Sequence, residues 1–153
     1  MSKTELVQNG GFEASATSIS PWVAVGPVTI VTTGVFKAHE GIQFAGINPG
    51  SRIFQRIPSG LAPGKVYRLA LNLVSMALNN TLTTVRLKFT NSSGAVLSTA
   101  EFIADPNTQP PATVGAWNFH QLLSPLSPPG TVGAIVEIEG FIGVDDVSLV
   151  QEN

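Results

Sequence analysis

Residues 144–149 read Val144-Asp145-Asp146-Val147-Ser148-Leu149, and near the other end stands Asn9-Gly10-Gly11-Phe12-Glu13. A Glu just past the first apolar run and an Asp pair inside the last meet only where the two ends lie side by side. A β-sandwich wound as a Greek key or jelly roll closes in that way. The two stretches therefore predict an all-β fold, a jelly-roll β-sandwich of two antiparallel sheets. They also predict a point where three carboxylates gather.

Outward from these ends, period-two alternation dominates. Tyr67, Leu69, Leu71 and Leu73 are apolar, while Arg68 and Asn72 point the other way. Val85, Leu87 and Phe89 alternate with Thr84, Arg86 and Lys88. Val132, Ala134, Val136 and Ile138 repeat the pattern against Glu137 and Glu139, which read as a solvated outer face. Further strands are expected at 5–13, 21–25, 28–33, 42–47, 51–57, 95–104, 117–123 and 142–150. Turn chemistry separates them. Leu61-Ala62-Pro63-Gly64 suits a type II turn, and Asn79-Asn80 and Ser92-Ser93-Gly94 suit hairpin reversals. The segment 105–115, with Pro106, Pro110 and Pro111, is the longest irregular stretch. No window of helical periodicity reaches about 10 residues.

The chain has 153 residues, which suits one domain, 1–153. Charged residues make up 12%, against about 25% in an average soluble domain. A surface that short of charge predicts cover by neighbouring subunits, with 1–8 as an N-terminal assembly segment. The net charge of -2 gives no footprint for nucleic acid. No run approaches about 18 apolar residues, so no membrane insertion is expected, and residues 1–5 hold no apolar signal core. Cysteine is absent.

In order, Asn-Gly-Gly-Phe-Glu, Pro21-Trp22, Phe54-Gln55, Leu61-Ala62-Pro63-Gly64-Lys65-Val66-Tyr67 and Val144–Leu149 resemble the pattern of galactose-binding-like jelly rolls. Carbohydrate-binding modules of bacterial glycosidases are among these. A closer likeness is to the N-terminal domain that precedes collagen-like repeats in bacterial spore-surface proteins. The resemblance spans roughly residues 5 to 150. It implies a non-catalytic building block that self-assembles into a homo-oligomer or fibre on a bacterial cell or spore surface. The rival it implies is a carbohydrate-binding module that recognises a polysaccharide. Two Trp and one Tyr, the latter in phase with a core, favour the first reading.

Glu13, Asp145 and Asp146 are the metal candidates. In similar jelly rolls such a Glu and Asp hold a structural Ca²⁺ completed by loop carbonyls, here around 37–41. Calcium takes about six to eight hard oxygens. Asp145, in phase with Val147 and Leu149, is expected to point inward. The alternative is a carboxylate satisfied by backbone N–H groups or by Lys37. Arg52, Phe54 and Arg56 share one strand face and read as a ligand or subunit contact. Trp22 and Trp117 open strands after loops, as sugar-stacking platforms or as caps of the core. His39 and His120 fall in no nucleophile motif, and no Gly-x-Ser-x-Gly elbow exists, so no enzyme is expected.

Overall fold

The computed structural model describes residues 3–32, 37–76, 82–105 and 116–152. The Asn79-Asn80 reversal, Met1 and all but the first residue of the 105–115 stretch lie outside them. The described residues form eight antiparallel strands: β1 (Val23–Val25), β2 (Val28–Val31), β3 (Phe44–Ile57), β4 (Tyr67–Val74), β5 (Thr83–Thr90), β6 (Val96–Ala104), β7 (Trp117–Leu123) and β8 (Gly133–Gln151). No helix occurs among the described residues.

Two strands are much longer than the alternation suggests. The expected pairs 42–47 with 51–57, and 132–139 with 142–150, each run on as one strand. Phe44–Ile47 of β3 pairs with β2 and with the C-terminal half of β8, which also pairs with β4, and β4 with β7. After a register shift between Ile47 and Ser51, the rest of β3 pairs with β1 and with the N-terminal half of β8. That half of β8 pairs with β5, and β5 with β6. Each layer thus has five members, β2-β3-β8-β4-β7 and β1-β3-β8-β5-β6. The strands β3 and β8 serve in both.

The core lies between these layers. Leu69, Leu71, Leu73, Val144 and Leu149 come from the first, and Ile53, Val85, Leu87, Val136 and Ile138 from the second. Tyr67 is fully buried there and its hydroxyl accepts the Ala62 N–H at 2.9 Å, which satisfies a polar tip in an apolar surround.

Residues 5–13 are not the regular strand expected of them. They form a strap along β8: Leu6 N–H donates to Leu149 O, and Val147 N–H to Gly10 O, each at 2.9 Å. Side chains supply what a ladder otherwise would. Glu5 Oε2 accepts the Leu149 N–H at 2.8 Å, and Gln8 and Gln55 exchange two bonds of 2.8 Å. The strap holds Val7 and Phe12 in the core. Gly10 lies so close to β8 that any Cβ would collide with the Val147 carbonyl. Residues 5–8 thus complete the sandwich of their own chain.

Candidate functional site

The first layer turns its outer face, away from the core, through Arg68, Ala70, Asn72 and Val74 of β4. Their partners on β7 are Leu123, Gln121, Phe119 and Trp117. One row carries the chemistry: Phe119, Asn72 and Asp145 lie opposite one another across β7, β4 and β8. Phe119 is 61% exposed, an unusual position for a large aromatic ring on an edge strand. Asn72, its ladder partner on β4, is only 6% exposed. Leu123 extends the apolar lane along β7.

One end of this face is roofed. Trp117 packs edge-on against Phe44 at 5.1 Å and against His39 at 5.8 Å, and its indole N–H donates to the Lys37 carbonyl at 2.9 Å. Phe44 and Val74 are buried there, outside the main core.

Beyond the roof, Glu13, Asp145 and Asp146 are brought together around residues 39–43. Glu13 Oε2 accepts the N–H groups of Ile42 and Gln43, both at 3.0 Å. Its carboxylate fills the space where a Cβ of Gly41 would stand, and Gly41 has φ +71°, so only glycine suits the turn. Asp145 is wholly buried, though on the side opposite to that expected. A bulge in β8, with Asp146 at φ +53°, breaks the alternation, so Val144 faces the core and Asp145 pairs with Asn72. Asp145 accepts Glu40 N–H at 3.2 Å and Asp146 N–H at 2.9 Å. Burial pushes its carboxyl up to about 6, with the charge of Asp146 adding to the rise and the N–H donors opposing it. Asp146 Oδ2 lies 2.5 Å from His39 Nδ1, and Glu40 stands within the same cluster.

Four carboxylates and neighbouring carbonyls are hard oxygen donors, the class a Ca²⁺ ion requires. Glu13 Oε1 and Asp146 Oδ1 carry no hydrogen bond among the described residues, so donor capacity remains. Among the described residues, the side chains whose ligand atoms lie within 4.8 Å of one another are His39, Glu40 and Asp146, whereas Glu13 and Asp145 stand outside that group on backbone N–H donors.

The other sequence candidates lie elsewhere. Trp22 is 3% exposed, packed at a tilt against Phe12 at 5.6 Å with its indole N–H on the Asn9 carbonyl at 3.0 Å, and has no face to offer a ligand. Arg52, Phe54 and Arg56 share the outer face of the second layer. Arg56 covers the Phe54 ring at 5.6 Å, and Arg52 stands 3.5 Å from Glu137. Glu137 is not solvated as expected: at 7% exposure it also binds Arg86 at 2.6 Å and lies 3.5 Å from Lys88. Sequence reasoning missed Phe119 and Asn72. The available signal was the shared parity of Trp117 and Phe119 on one strand.

No protein-family model matches the sequence, and no curated protein matches it. Solved structures do. The enzymatically active domain of tailspike protein 4 from bacteriophage CBA120 aligns with a TM-score of 0.69 at 19% identity, over 96% of this chain. The chain spans about a fifth (21%) of that structure. TmCBM61, solved in complex with beta-1,4-galactotriose, aligns with a TM-score of 0.64 at 18% identity, over 97% of this chain and 99% of that one. The CBM22-1 xylan-binding domain of Paenibacillus barcinonensis Xyn10C gives 0.63 at 13%, over 97% and 95%. The jelly-roll β-sandwich common to carbohydrate-binding modules is thereby established as the fold. The expectation of a self-assembling surface block is overturned, because the similar folds include a series of carbohydrate-binding modules.

Proposed function

We propose that this chain is a non-catalytic carbohydrate-binding module that takes a polysaccharide on the outer face of its first layer. The observation that carries this reading is the exposed ring of Phe119 beside the sheltered amide of Asn72. A sugar ring offers an apolar C–H face and a rim of hydroxyls. An aromatic plane meets the first, and a few fixed polar groups meet the second. Phe119 is the stacking ring, Asn72 and Gln121 hydrogen-bond the rim, and Leu123 prolongs the contact along β7. The similar modules that bind a galactotriose or xylan support the ligand class.

Glu13, Asp145 and Asp146 would hold a structural Ca²⁺, whose charge would offset their mutual repulsion. Supporting this is their convergence from the N-terminal turn and β8 onto the 39–43 loop. That loop adjoins Lys37, which anchors Trp117, so the acidic cluster fixes the end wall of the platform.

Affinity electrophoresis through gels containing xylan or β-1,4-galactan tests the assignment. Wild type should be retarded by at least one of them, and Phe119→Ala should lose about tenfold or more in affinity with an unchanged melting midpoint. Retention of the variant equal to wild type, or no retardation of wild type by any polysaccharide, would overturn the reading.

A further inference from the structure

The same strand that carries Phe119 outward turns His120 toward the core. We propose that His120 makes glycan binding by the Phe119 face acid-labile, its protonation unseating β7; this rests on the carbohydrate reading above.

Two observations place the device. His120 stacks on Phe102 of β6 at 5.6 Å and 16°, so it bridges the edge strands of the two layers. Its Nε2 is buried with no hydrogen-bond partner. A neutral imidazole tolerates this position as an apolar plate, but an imidazolium has a full charge and a donor to satisfy.

No charged group faces it from the elements packed around it, among the described residues. From β4 it meets Leu71, flanked on that face by Leu69 and Leu73. From β6 it meets Phe102, whereas Glu101 is bound to Arg86 on the outer face. The β5 side chains toward the core are Val85 and Leu87, while Arg86 and Lys88 point outward to Glu137. Asp105, just past β6, already has an interaction of its own. His120's own strand carries no other ionisable side chain.

Protonation therefore drives the ring toward water and empties its place against Phe102. Among the described residues β7 pairs with β4 alone, so the stack is part of what seats it. Phe119 is the adjacent residue and moves with the strand. The sign follows from burial, which lowers the pKa of His120 below the usual histidine value of 6.5. Stability from the neutral ring is complete above the unfolded value and is lost as pH falls through 6.5 toward the lowered value.

The test compares wild type with His120→Phe, which keeps an aromatic plate and cannot titrate. Melting midpoints from pH 8 to 5 need no glycan. Wild type should lose several degrees more than the variant on acidification. Binding of wild type to the polysaccharide that retards it should weaken roughly threefold to tenfold from pH 7.5 to 5, with a flatter profile in the variant. Parallel melting profiles sink the proposal, as does a binding profile that the substitution leaves unchanged. If His120→Phe does not fold, the NMR titration of the ring in wild type decides instead. A pKa below the ordinary histidine value supports the device, and one at or above it overturns the device. Failure to bind any polysaccharide at any pH strikes the carbohydrate reading and leaves the melting and NMR results standing.

Discussion

Asp145 sits wholly buried between the platform row and a loop, with backbone N–H groups as its donors. Without a cation, burial disfavours its ionised form, as its raised carboxyl shows. With one bound, the same charge becomes a ligand. Substitution Asp145→Asn should therefore act with opposite signs. At pH 7.5 in EDTA it should raise the melting midpoint, and in millimolar Ca²⁺ it should lower it. A fall of the same size in both media would mean that the cluster is held by hydrogen bonds alone. At Gly10 the constraint is steric. Gly10→Ala should cost about 1–3 kcal/mol in urea unfolding, because the strap must shift off the Val147 carbonyl.

At the level of elements, the strap is held by side-chain and backbone bonds to β8 and β3. Removing residues 1–8 deletes the bonds from Leu6, Glu5 and Gln8 and uncovers the core beside Val7. At about 1 kcal/mol per net hydrogen bond plus the apolar burial of Val7, the truncated chain should lose about 3 kcal/mol or more. An unchanged urea midpoint would show the strap to be idle. Sequence alternation located β7 to the residue and β4, β5 and β6 to within a residue or two; the alternation of burial is clearest along β5 and the first half of β4. It misread the strap, since the groups that satisfy the strap are the side chains of Glu5 and Gln55, which no strand propensity reports. It also missed the side on which Asp145 stands, because the bulge at Asp146 inserts one residue into the period. Glu13 and the Asp pair were legible as neighbours from the closure of the fold. Phe119 was not, since counting Trp and Tyr passes over a Phe whose exposure depends on which edge is left bare.

For the molecule as a whole, scarcity of charge is less dispersed than composition suggests. Arg52, Arg86 and Lys88 gather on Glu137, with Glu101 and Glu139 also on Arg86. Because Glu137 is sheltered, Glu137→Ala leaves three cations facing one another, and should cost about 2–4 kcal/mol by denaturant unfolding. Glycan retention should be unchanged, since this cluster lies on the opposite layer from Phe119. A loss of retention in a folded Glu137→Ala protein would move the binding face to the second layer.

The passage of β3 and β8 through both layers sets how the protein comes apart. Neither half can peel away while the other persists, because the same two backbones are threaded through each. Heating should yield a single calorimetric endotherm, with amides at Ile47 and Ile53 exchanging through one common opening event. Any ligand gripping only the front would then protect the back against heat to the same degree.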